Sequence, residues 1–224
     1  MKSLSILAAI LATGALCAQE KSEDLTARVI LFGEATQTAG ILLGQGIKDQ
    51  ANIQTGPGLR IMGLTSEDSH WFWELAVRFK SSAGMATNRD IGGGNILDAT
   101  KVRVNYSYWA AGAGYLIPLG EVADFGVHLE GRGETINPNG TFSTTTGGTG
   151  NIDAHTVYFR PWVRLSLDLK FKTGSVTTLI GGDAGVAALK TSQKSVMPLS
   201  QIDDQTLRSM APAWSGALYA GVQF

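Results

Sequence analysis

The chain has 224 residues, 28 of them glycine, with 18 basic against 19 acidic side chains and a single cysteine. Near-neutral charge argues against a polyanionic partner such as nucleic acid, and one cysteine excludes both a disulfide framework and paired-cysteine metal sites. The length suits one large β domain or two small ones.

The first eighteen residues read as a secretory signal peptide. Lys2 is a short basic start, and Leu4 to Leu16 is an apolar run too short to span a bilayer. Ala18 offers a small residue for cleavage before Gln19 and Glu20. Cys17 leaves with the signal on this reading, and residues 19–224 form the mature domain. Export without disulfides points to a bacterial envelope protein.

The rest of the chain alternates with period two, the signature of strands with two unlike faces. Eight strands are expected: Thr26 to Thr36, Gly58 to Thr65, Trp71 to Lys80, Val102 to Ile117, Phe125 to Glu134, Val157 to Phe171, Val176 to Leu189 and Ala213 to Phe224. In "VYFRPWVRLSLDLKF" one parity holds Val157, Phe159, Val163, Leu165, Leu167, Leu169 and Phe171 without a charge. The other parity holds Arg160, Arg164, Ser166, Asp168 and Lys170. The connections alternate in length. Residues 37–57, 81–101, 136–155 and 190–212 read as long loops, whereas "SEDSH", "PLGEVAD" and "KTGS" read as tight turns. An even number of strands with long loops at one end is the pattern of an up-and-down barrel.

Period two does not say which face is wet. A soluble barrel would put the apolar face inside. A membrane barrel would put it against lipid and keep the charges in the lumen. Strand length and aromatic placement favour the membrane. Trp71, Trp73, Phe125, Phe171 and Phe224 would ring the short-turn rim, and Phe79, Phe159 and Trp214 the long-loop rim. The terminal strand "SGALYAGVQF" can pair with the first and close the ring, as lipid demands. The fold class expected is therefore all-β, an eight-stranded antiparallel up-and-down transmembrane barrel.

These features resemble the small bacterial outer-membrane β-barrels, such as the transmembrane domain of outer membrane protein A, over the whole mature chain. The resemblance implies short turns in the periplasm and long loops outside the cell. It also implies that Phe224, with Leu218, Ala220 and Val222 at alternate positions, is an assembly signal read by the outer-membrane assembly machinery. The family often has an aromatic residue where this chain has Val222.

On the lumen face we place Arg28, Arg60, Arg78, Lys80, Arg103, Arg132, Arg160, Arg164 and Lys170, against Glu34, Glu74, Glu130, Glu134, Asp168 and Asp183, with His128 among them. An eight-stranded interior is just wide enough for side chains to fill, so an ionic network that plugs the lumen is expected. The basic excess leaves open a narrow pore for anions. His128, Glu130 and Glu134 on one strand raise acid–base catalysis on lipid, but no serine stands two residues from His128. No metal spacing or phosphate loop is present, and no cofactor is expected. The partners expected are outer-membrane lipid and lipopolysaccharide, and the protein is expected to be a monomer.

Overall fold

The structure, a computed structural model, describes residues 26–38, 41–42, 47–48, 52–64, 70–84, 89–90, 96–98, 101–153, 155–188 and 211–224. The expected signal peptide and cleavage site, most of "SEDSH", "IGGGN", and Asp203 and Asp204 lie outside the described residues.

Eight strands form the body: β1 (Thr26–Thr38), β2 (Asn52–Leu64), β3 (Trp71–Gly84), β4 (Arg103–Pro118), β5 (Ala123–Thr144), β6 (Thr156–Thr173), β7 (Val176–Ala187) and β8 (Trp214–Gln223). Each pairs antiparallel with its sequence neighbours. β8 pairs with β1 from Arg28↔Gln223 to Thr36↔Ser215, which closes the ring. The ladder runs through the last residue, since Phe224 N–H donates to Ala27 O at 3.1 Å and Ala27 N–H to Phe224 O at 3.0 Å. No sheet edge is left in the body, so the backbone is satisfied without water.

Glycine is frequent because aromatic rings lie flat across the neighbouring strand. The registers Phe32↔Gly58, Phe72↔Gly114, Gly63↔Trp73 and Trp109↔Gly133 each set a ring over a glycine. A Cβ at Gly58 would stand 2.1 Å from Phe32, and one at Gly133 would stand 2.4 Å from Trp109. The same device serves the lumen and the outer wall.

Two expectations about the chain's path are corrected. Residues 136–155 are not a loop. β5 continues to Thr144, turns through Gly147 (φ 86°), and returns as Thr149–Asp153, pairing Thr149↔Ser143 to Asp153↔Asn139. Threonine and asparagine here extend the ladder, and Ile96–Asp98 pairs on the other side of the same strand. The result is a small sheet that rises past the barrel. In β3 a bulge interrupts the register, so that the three steps from Arg78 to Ser81 face the two from Tyr108 to Tyr106. The bulge reverses the parity of everything after it.

Candidate functional site

The wall and the lumen have opposite chemistry. Outward residues along β3 are Trp71, Trp73, Leu75, Val77 and Phe79, and along β6 Phe159, Val163, Leu165, Leu167, Leu169 and Phe171; all are exposed. Trp214 is exposed too, and Phe125 and Phe224 are half-buried on the same side. Trp109, absent from the expected girdles, is exposed and meets Phe159 edge-on at 5.5 Å. Leu218 and Ala220 point outward with Leu218 78% exposed, whereas Val222 is half-buried. A closed ring with this wall cannot stand in water. Its exposed surface is the apolar one, so it spans a bilayer.

Three linked groups of ion pairs occupy the lumen. At the short-turn end Arg28 donates to Asp168 at 2.9 Å, to Asp124 at 2.8 Å and to Gln223 at 2.8 Å. Lys170 donates to Asp124 at 2.7 Å, and Tyr219 donates to Asp168. In the middle Arg164 is a hub for three carboxylates. It donates to Asp183 and Glu74 at 2.8 Å each and also to Glu130. Arg60 reaches Asp183 at 3.1 Å and Glu74 at 3.5 Å, and Arg132 donates to Glu130 at 2.8 Å. Toward the extended end Glu34 accepts from Tyr108 at 2.7 Å and is paired with Arg78 at 3.2 Å. Glu134 accepts from Tyr106 and from Arg160 at 2.7 Å each. The Arg132 guanidinium lies between two rings, 4.3 Å from Tyr108 and 4.1 Å from Trp162, which holds its charge by cation–π attraction.

The positions of the sequence-predicted lumen residues follow from this. Arg28, Glu34, Arg60, Glu74, Arg78, His128, Glu130, Arg132, Glu134, Arg160, Arg164, Asp168 and Asp183 are buried inside, and Lys170 is half-buried at the short-turn end. Arg103 is a correction. It is exposed on the outward parity of β4, while Val102 and Val104 point inward and are buried. Lys80 is another, because the bulge turns both Phe79 and Lys80 outward. Asp124, one residue before the expected start of its strand, joins the network. Seven cations then face seven carboxylates among the described lumen residues. The basic excess behind the anion-pore expectation is gone.

No protein-family model matches the chain, and no curated protein does. Solved structures do. Outer membrane protein OprG from Pseudomonas aeruginosa is 10% identical, with 90% of this chain and 96% of that one covered and a TM-score of 0.51. This chain shares its barrel fold. A major outer membrane protein from Thermus thermophilus is 12% identical over 88% and 98% of the two chains, with a TM-score of 0.48. Ail, the attachment invasion locus protein of Yersinia pestis, is 12% identical over 90% and 99%, with a TM-score of 0.46.

One constellation escaped the sequence. Ser166 Oγ lies 2.9 Å from His128 Nε2, and His128 Nδ1 lies 3.1 Å from both oxygens of Glu74. The serine comes from the adjacent strand, one diagonal step away in the register Ser166↔Gly126 and Arg164↔His128. No spacing within one strand reveals such a pair, although Ser166 and His128 both lie on the charged parity. The order Ser–His–Glu is that of a nucleophile, base and orienter. Its surroundings differ from a hydrolytic site. Arg164 Nη2 lies 3.0 Å from the same Nδ1 and competes with the carboxylate for it. All three side chains are enclosed, and a Cβ on Gly126 would already stand 2.3 Å from Ser166 Oγ. Glu74, His128 and Glu130 also bring ligand atoms within 4.8 Å of one another, but Arg164 donates to both carboxylates from between them.

Proposed function

We propose that this is a bacterial outer-membrane barrel, exported by a signal peptide over residues 1–18, with a non-catalytic structural or surface-interaction role carried by its extended end. The observation that supports this best is the contrast between the two ends. β5 runs 22 residues, about twice what a tilted strand needs to cross a bilayer, and its excess carries a further sheet. The other end closes in tight turns such as the one at Gly174. The extended end faces the outside, and the lumen is closed by its ion pairs. Planar-bilayer recordings test the closure: no steady conductance is expected, and a stable current of uniform size would support a narrow pore instead.

The ending deepens the reading. Phe224 completes the ring and, with Leu218, Ala220 and Val222, is what the assembly machinery reads. Deleting Phe224 lowers the folded barrel recovered from the outer membrane of cells, while refolding of the purified chain in detergent suffers less. Normal outer-membrane levels of the truncated protein would remove the assembly role.

A further inference from the structure

The sheet that rises past the body carries a cleft of its own. Asp98, Lys101, Thr141, Ser143, Thr149 and Asn151 line it, and its volume is about 340 Å³. We propose that it binds one sugar ring of an uncharged glycan outside the cell. The proposal deepens the surface-interaction reading and rests on it for the side of the membrane on which the cleft lies.

Strand pairing builds the cleft. Ser143 of β5 stands opposite Thr149 on one side and Asp98 on the other, and Thr141 stands opposite Asn151. Lys101 is drawn in at Gly140 (φ 139°), where a Cβ would stand 2.2 Å from the Lys101 carbonyl oxygen. Only glycine lets the chain before β4 approach that closely. The turn above is closed by Thr144, whose N–H donates to Gly148 O at 2.7 Å and whose Oγ1 accepts from Gly148 N–H at 3.0 Å. Lining groups held on paired strands keep their places before a ligand arrives, which lowers the entropic cost of binding.

The donor set selects the ligand. Among the described residues the side chains of Thr141, Ser143, Thr149 and Asn151 make no hydrogen bond to the protein. Three hydroxyls and an amide can each both donate and accept. An anion would need donors alone, and Asp98 repels it. A metal ion would need several carboxylates, and among the described lining residues Asp98 alone supplies one. Asp98 and Lys101 cancel in charge, as do Arg103 and Asp153 one row nearer the body, where both flank Asn139. Among the described residues no aromatic or aliphatic side chain lines the cleft, so an apolar ligand meets little but threonine methyls. A sugar ring matches this set. Its hydroxyls donate and accept around the rim, and its C–H face suits a methyl. The volume is at the small end for ligand sites, roughly 300–1,000 Å³, which admits a ring rather than a long chain.

The test uses the mature barrel, isotope-labelled, in phosphatidylcholine nanodiscs, titrated with the methyl glycosides of glucose, galactose, mannose and N-acetylglucosamine. About four hydrogen bonds without aromatic stacking give a dissociation constant on the order of 1 mM. At least one glycoside is expected to shift the amide resonances of Thr141, Ser143, Thr149 and Asn151 together, equally in low and high salt. Asn151→Ala and Thr149→Val are each expected to weaken that binding about fivefold, with the amides of the body unmoved. Thr173→Val, at the short-turn end, should change nothing. The cleft loses its ligand if none of the glycosides moves those amides. Stronger binding of inorganic phosphate than of any glycoside, lost in high salt, would overturn the uncharged class. A separate arm introduces Thr146→Cys into a chain whose one cysteine, Cys17, lies in the expected signal peptide. Labelling by an impermeant maleimide in intact cells supports the orientation. Labelling only after the outer membrane is permeabilised would defeat the orientation, and with it a ligand outside the cell, whatever the titration in nanodiscs shows.

Discussion

The barrel body and the sheet that rises from it are made by the same strands under opposite rules. In the body the outward positions of β5 are Val127 and Leu129, and the inward ones His128, Glu130, Arg132 and Glu134. A few residues farther along the same strand, Ile136 points inward with no exposure, and Asn137, Asn139 and Thr141 point outward. β4 crosses the same boundary in the reverse direction, with Val102 and Val104 buried inside and Arg103 outside. The alternation never breaks in either strand, but its meaning inverts where the solvent changes from lipid to water. Charge is cheap inside the body only because every carboxylate there has a cation, and cheap outside the extension because water is there. Apolar residues follow the complementary logic.

The contrast is sharpest at the hub. Removing Arg164 strips the central partner from Glu74, Glu130 and Asp183, all of them buried in the lumen. Arg164→Met is expected to cost about 3–5 kcal/mol, measured by urea unfolding of the barrel in lipid vesicles. A loss near zero would mean that water fills the lumen and that the body obeys the same rule as its extension.

A second pair of substitutions keeps strand and parity constant and changes only the height. Leu129→Arg places a charge on an outward position of the body and should cost about 2–4 kcal/mol near the midplane. Thr141→Arg, outward on the same strand in the extension, should lie within about 0.5 kcal/mol of wild type. Equal costs at the two heights, read in the same vesicle assay, would erase the boundary drawn between Leu129 and Ile136.

Ile136 tests the inner face of the extension. Ile136→Ala should cost about 2 kcal/mol, the low end for a buried aliphatic side chain, because Ile136 is the last rung of β5 paired on both sides, with Tyr106 of β4 and Thr156 of β6, and the rim relaxes more readily than the middle of the ring. The loss should appear as faster amide exchange in residues 137–144 rather than as reduced recovery of the folded barrel. Exchange rising equally in β1 would show that the extension and the body unfold as one unit.

Most of the body was legible from period two alone, because pairing in a closed meander is local and each strand carries its face in its own alternation. The extension was not, because its residues are Thr, Gly and Asn, whose side chains suit a loop as well as a strand. Arg103 was misplaced for a physical reason: the rule that charge points inward was carried past the point where lipid ends. Lys80 was misplaced because a bulge adds one residue and leaves no mark in composition. Asp124 was missed for a plainer one, since its strand begins two residues earlier than Phe125 suggests. The Ser166–His128–Glu74 chain was invisible because it crosses three strands, and one strand's sequence holds no record of the register of the next.

That chain supplies the smallest expected effect and the closest test of what the lumen is for. If Ser166 is one hydroxyl among many in a filled interior, Ser166→Ala removes a single hydrogen bond to His128 Nε2 and costs about 1 kcal/mol. If it is a nucleophile, the stability change is the same, so stability cannot separate the two roles. Labelling can. A fluorophosphonate probe modifies a serine only when an adjacent base accepts its proton and the phosphorus can approach in line. Ser166 is 4% exposed, Gly126 packs against its hydroxyl, and Arg164 draws on the Glu74 carboxylate that a base would need behind it. No labelling of the folded wild type is expected, at neutral pH or above. Labelling that vanished in both Ser166→Ala and His128→Gln would instead mean that the lumen opens far enough to admit an ester. The inward charges of the body would then be read as a reaction chamber rather than as the filling of a closed barrel.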